Sequence, residues 1–176
     1  MSSALRIRPM QAPDLPAYKS LRDLMLTRHP EAFTSDAETE TRRDLSYYQS
    51  RLPGDTTLFT LLACEGSQLL GALTCERERR RKVQHVTHLV GMMVLPRLQG
   101  RGIGGALLDD ALARLRALPE LAMVTLSVTR SNDSAVRLYA SRGFERYGRL
   151  PGAIRLPDGR ELDKDLMMLR LQPAGA

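Results

Sequence analysis

The sequence predicts a mixed α/β (α+β) domain, and three observations carry that prediction. Apolar segments of strand length alternate along the chain with segments whose apolar residues recur every three or four positions. No internal repeat or low-complexity linker interrupts them, so one architecture has to account for residues 1–176. At 176 residues the chain is the size of one ordinary domain, long enough for a substantial core. The expectation is a central sheet flanked by helices.

Each element has a local reason. Leu5-Arg6-Ile7-Arg8 alternates as a strand. Asp14 stands where it would cap a helix running to about His29, with Leu15, Tyr18, Leu21 or Arg22, and Met25 on one face and Pro30 ending it. A second helix is expected over residues 37–51, stopping at Pro53-Gly54. Residues 57–64 and 69–76 read as a hairpin across Glu65-Gly66-Ser67-Gln68, and 83–94 as a longer strand. The next helix places Ile103, Leu107, Leu108, Ala111, Leu112, Leu115 and Leu118 on one face and Asp109, Asp110, Arg114 and Arg116 on the other. Residues 121–128 form a strand. Asn132 or Ser131 then caps a helix whose Ala135, Val136, Tyr139 and Ala140 make an inward stripe before Gly143. Asp158-Gly159 turns the chain into a last strand at about 164–171.

Composition narrows the function classes. No apolar run approaches the roughly 20 residues that span a bilayer, and the first residues lack the apolar stretch of a signal peptide, so a soluble, cytoplasmic protein without a membrane partner is expected. Cys64 and Cys75 lie in apolar, strand-like segments without metal-ligand spacing and are expected to be reduced core residues, with no metal bound. The net charge of +6 draws attention to Arg77-Glu78-Arg79-Arg80-Arg81-Lys82. That run is interrupted by a glutamate and has no interleaved aromatics, so it is expected to be a solvated loop and no nucleic acid to be a partner.

The most informative stretch is Val94-Leu95-Pro96-Arg97-Leu98-Gln99-Gly100-Arg101-Gly102-Ile103-Gly104-Gly105-Ala106, where a strand runs through a glycine-rich turn into a helix. Without Cβ atoms the turn lets a bulky ligand approach the backbone, and the free N–H groups and dipole of the helix start favour an anion. Arg101 adds a positive charge, and the expected ligand carries phosphates. The stretch contains G-x-G-x-x-G, yet Pro96-Arg97-Leu98-Gln99 separates strand from glycines and the next strand ends at Thr129-Arg130 without a carboxylate, which argues against a dinucleotide fold. No Gly-Lys-Ser/Thr follows, so a Walker loop is excluded.

Gln99-Gly100-Arg101-Gly102-Ile103-Gly104 resembles the Q/R-x-x-G-x-G/A acyl-CoA motif of the GCN5-related N-acetyltransferases, with Val94-x-Pro96 in place of that family's V-x-P. The segment from Asn132 to Phe144 resembles the family's N-x-x-A-x-x-L-Y-x-x-x-G-F at the expected distance. The resemblance covers residues 58–147 firmly. It implies a mixed, mostly antiparallel sheet and acetyl-CoA as cosubstrate, held by Gln99, Gly100, Arg101, Gly102, Ile103, Gly104 and Gly105. The pantetheine arm would lie beside the strand at Met92, Met93 and Val94, with the Met92 N–H facing the oxyanion, the two methionine side chains as apolar wall, and Asn132 touching the arm. Tyr139 would protonate the leaving thiolate.

The general base departs from a common pattern of the family. Relatives that acetylate protein N-termini carry a glutamate five residues before the asparagine, and Ser127 stands there. Eleven residues before Gln99, on the strand, His88 occupies a position where some relatives place a glutamate or histidine. By alternation His88, Val90, Met92 and Val94 are expected on one face. An imidazole with a pKa near 6.5 suits proton removal, directly or through water, and makes His88 the candidate base. His29 and His85 are expected at the surface. The expected activity is transfer of an acetyl group to a primary amine of a small molecule, peptide or protein. The acceptor pocket falls near residues 24–36 and 147–155, where Glu31, Asp36 and Glu38 would attract a cation. A homodimer is expected by analogy. The competing class is a non-catalytic acyl-CoA sensor or polyanion-binding module on the same fold.

Overall fold

A computed structural model describes residues 4–54 and 58–171. The strands are β1 (Leu5–Pro9), β2 (Leu58–Glu65), β3 (Gln68–Arg77), β4 (Val86–Val94), β5 (Met123–Thr129), β6 (Glu145–Arg155) and β7 (Glu161–Arg170). They form one sheet in the order β1-β2-β3-β4-β5-β7-β6, in which β4 and β5 alone are parallel. The helices are α1 (Leu15–Arg28), α2 (Ala37–Thr41), α3 (Ile103–Arg116) and α4 (Asp133–Ala140). The expected mixed, mostly antiparallel sheet flanked by helices is therefore present.

The alternation of side chains across the sheet separates two cores. On one face Leu61, Leu73, Leu89, Val124 and Leu126 pack with Leu107, Leu108 and Leu112 of α3. On the other, Leu62, Ala72 and Met93 pack with Tyr18, Leu21 and Met25 of α1. A buried ion pair ties α1 to α2: Arg22 Nε lies 2.6 Å from a Glu40 carboxylate oxygen, which also accepts from the Tyr48 hydroxyl at 2.8 Å.

Several local expectations are corrected. The helix expected over residues 37–51 breaks after Thr41 and resumes as a 3₁₀ turn, Leu45–Arg51, because the Asp44 carboxylate accepts the Ser46 and Tyr47 N–H groups and starts a new turn. Asp14 sits at the start of α1 without capping it; its carboxylate instead pairs with Arg8 at 2.6 Å and accepts the Gln11 N–H. Residues 83–85 belong to a turn rather than to β4, closed by Val83 N–H to Arg80 O and Val86 N–H to Val83 O. Thr57, expected to begin β2, lies outside the described residues, as do residues 1–3. Ala140 is exposed, and Leu118 is only half-buried beyond the end of α3. Arg77 departs from the expected loop: it ends β3, with its side chain on Glu120, and the rest of the arginine run is a loop as expected, with Arg80 on Glu78. Among the described residues no helix is long and apolar enough to cross a membrane.

Candidate functional site

The site is a split in the sheet. β4 and β5 pair over only three positions, Val86 with Met123, Thr87 with Val124 and His88 with Thr125, and then diverge. β5 stays with β7 through Thr129, and β4 stays with β3 through Val94, so the parallel pair opens into a wedge. A bulge widens it. Leu89 faces α3 and Met93 faces α1 although they are four residues apart, because Gly91, at φ +60°, inserts an extra residue into β4. A cleft of about 600 Å³ occupies the wedge and continues past the glycine turn.

The bulge corrects the expected parity. His88 and Val90 lie on the α1 face, opposite Glu76 and Thr74 of β3, whereas Met92 and Val94 pack toward α3. His88 does not line the cleft. Its Nδ1 is 2.5 Å from Thr125 Oγ1 and its Nε2 3.4 Å from Glu78, so it stands at the closed end of the wedge. Met93 is also outside, 1% exposed in the α1 core, and the Arg101 side chain is exposed and not part of the lining. The other expected residues do meet there: Met92 and Val94 on β4, Gln99 through Gly105 apart from Arg101, Asn132 just before α4 and Tyr139 on it.

One end of the cleft gathers backbone donors. Gly102, at φ +79°, sits at the N-cap of α3 in the left-handed region that glycine tolerates. Among the described residues the N–H groups of Gly102, Ile103, Gly104 and Gly105 have no backbone acceptor, and they gather at the positive end of α3. Gln99 Nε2 reaches Val94 O at 3.5 Å, tying the turn to the strand. The donors, the open wedge edge of β4 and the glycine turn together fit a nucleotide-linked chain carrying phosphates.

α4 forms the facing wall. Asn132 caps it, accepting the Ala135 N–H at 3.2 Å. Its end is closed by Gly143 N–H to Ala140 O and Phe144 N–H to Tyr139 O, with the Tyr139 and Phe144 rings 5.8 Å apart. This closure fixes Tyr139, which is 7% exposed and lines the cleft. Its hydroxyl has no hydrogen-bond partner among the described residues, and burial pushes its pKa up to about 12. It is a protonated donor throughout the neutral range.

The opposite end is lined by a loop following α1. His29, Glu31, Phe33 and Thr34 line it with Lys164 of β7. Two hydrogen bonds pin the loop across the sheet: Thr129 Oγ1 donates to Glu31 O, and Lys164 Nζ donates to Thr34 Oγ1, each at 2.6 Å. His29 was expected at the surface; its ring instead lies at the cleft, with Nδ1 3.4 Å from Glu31. Asp36 caps α2 and Glu38 pairs with Arg42 in solvent, so of the three acidic residues expected here Glu31 alone lines the cleft. Lys164 was not anticipated, since a lone lysine near the end of the chain carries no pattern.

A profile of the Acetyltransferase (GNAT) family matches residues 18–144. Mycothiol acetyltransferase of Salinispora tropica is 31% identical over 74% of this chain, which spans 41% of that protein. L-amino acid N-acetyltransferase AaaT of Escherichia coli is 25% identical over 74% of this chain and 78% of its own length. The structure of yncA from Salmonella typhimurium with its cofactor acetyl-CoA superposes with a TM-score of 0.80, covering 99% of this chain and 98% of that one, at 22% identity; this likeness is one of fold.

Proposed function

The chain belongs to the GNAT acetyltransferase family, and from that premise we propose that it is an acetyl-CoA-dependent N-acetyltransferase acting on a primary amine. The observation that carries the proposal is the wedge between β4 and β5 opening directly onto the donors at the start of α3. A pantetheine arm carries amides and pairs with a free strand edge as an added strand does. The pyrophosphate then falls at the glycine turn, where N–H groups and helix dipole favour it. The thioester lies near the bulge, where the Met92 N–H meets the negative charge that develops on its oxygen.

Tyr139 supplies the proton for the departing thiolate. A pKa of about 12 keeps the hydroxyl protonated at neutral pH, so with no partner of its own it is free to turn toward the sulfur and donate a hydrogen bond to the thiolate as it departs. His88 accepts the proton from the amine at a distance, through water along the face that carries Thr125 and Ser127; the bond from His88 to Thr125 supports this route. If it does, His88→Gln costs roughly tenfold or more in kcat/KM, most on alkylamines of high pKa. A pH–rate profile unchanged by His88→Gln removes it from the mechanism.

The acetyl-CoA-dependent reading places the protein in the cytoplasm and makes the donor a diffusible cosubstrate. Thiol release from acetyl-CoA over a panel of amines tests it: release that requires an amine supports transfer. Tight acetyl-CoA binding with no release on any amine would instead mark a sensor.

A further inference from the structure

Lys164 is out of place for an ordinary lysine. The residue is 9% exposed, lines the cleft, and is held in register beside Thr129 on the face covered by the loop after α1. Its ammonium donates to Thr34 Oγ1, a neutral acceptor, and among the described residues no carboxylate lies within 4.0 Å of it. The neighbouring Asp165 is turned toward Arg146 and Arg149 on β6, at 3.5 and 3.6 Å. Burial lowers the Lys164 pKa with no nearby charge to offset it. A buried ammonium that lines a ligand cleft without a counter-ion is stabilised in its charged form when the ligand brings an anion.

The same end of the cleft carries the opposite charge. The Glu31 carboxylate, 3.4 Å from His29 Nδ1, lies on the loop that Lys164 pins, and Met25 and Phe33 add apolar surface to the lining. A wall fixed to β5 and β7 by two short hydrogen bonds suits a small molecule better than a polypeptide that must thread past it.

We propose that the acceptor is a small zwitterion, a free α-amino acid with an apolar side chain or a close analogue, whose carboxylate is held by Lys164 and whose amine is drawn by Glu31 toward the wedge. The inference rests on the acetyltransferase reading and names the substrate class for that site.

The test compares L-leucine with L-leucinamide, which lacks the carboxylate. The amide's amine is less basic and therefore more reactive at neutral pH, so a preference for the acid reports binding. Wild-type kcat/KM should favour leucine by roughly 10- to 100-fold, the effect of a hydrogen bond to a charged group. Lys164→Met should bring the ratio to one or below and Lys164→Arg should keep part of it, with acetyl-CoA affinity measured in each to establish that the cradle is folded. A wild-type ratio near one, or equal losses on both acceptors in Lys164→Met, overturns the proposal. If neither amine releases thiol, the enzyme reading fails separately. Calorimetric titration of leucine and leucinamide into the CoA-saturated protein then decides: carboxylate-dependent binding lost in Lys164→Met supports the site, and no difference refutes it.

Discussion

Two walls line one cleft and offer different chemistry: the stretch from Met92 through the start of α3, which on the proposed reading is the cradle, and the loop after α1 with β5 and β7, which on that reading is the acceptor wall. The cradle offers backbone: N–H groups, a helix terminus and glycines that keep side chains away, all within one continuous stretch of chain. The acceptor wall offers side chains brought from distant parts of the sequence, joined by hydrogen bonds spanning 98 residues from Glu31 to Thr129 and 130 from Thr34 to Lys164. A backbone site binds what every member of a family shares. A site made of side chains changes one residue at a time, and on the proposed reading it is where acceptor choice would reside.

The largest effect expected separates the foundations of the two walls. The acceptor loop leans on the buried pair of Arg22 and Glu40, and Arg22 Nη2 also reaches Ser35 at the loop's end. Glu40→Gln leaves a buried guanidinium without its counter-ion and should cost about 3–5 kcal/mol in chemical denaturation. Burial alone would raise the Glu40 pKa, but the hydrogen bonds from Arg22 and Tyr48 outweigh it and hold the carboxyl below its ordinary value. The pair's contribution is therefore complete above the unfolded pKa of about 4.3 and is lost as pH falls through the lower folded one, so the variant should lose part of the wild type's acid sensitivity.

Gly104→Asp strikes the cradle alone. A Cβ at this position meets Leu138 at 3.4 Å, an ordinary contact, so the fold should survive. The added carboxylate faces the place proposed for pyrophosphate, and repulsion there should weaken acetyl-CoA by about 100-fold or more. Unchanged affinity by calorimetry in the folded variant would move the phosphates elsewhere.

The contrast also explains what the sequence disclosed. The glycine turn, the cap at Asn132 and the stripe of Ala135, Val136 and Tyr139 are local patterns with local causes and fall where expected, Ala140 alone of that stripe turning out to solvent. Thr34 and Lys164 carry no local signal; only the order of the strands, with β7 inserted between β5 and β6, brings them together. His88 failed on parity for one identifiable reason. A single residue, Gly91, adopts a positive φ, and everything beyond it in β4 changes face. A glycine in a strand pattern was the available signal for that bulge.

Tyr139→Phe tests the point where the walls meet. It removes one oxygen and leaves the ring packed on Phe144, so stability and acetyl-CoA affinity should change little. Loss of the proposed proton donor should lower kcat by roughly 10- to 100-fold, and normal turnover would leave Tyr139 a core residue.

The smallest effect belongs to Thr129→Val, and it is the most specific probe of the acceptor wall. Thr129 is 2% exposed, and its hydroxyl makes one bond, to Glu31 O. Valine preserves shape but leaves that carbonyl without this donor, at a stability cost of about 1 kcal/mol. If the loop is held in place by this bond, the functional loss should fall on one substrate: KM for the amine should rise several-fold while KM for acetyl-CoA stays fixed, because the cradle lies on separate elements. Equal changes in both constants would mean that the two walls move together and that the division between them is one of sequence only.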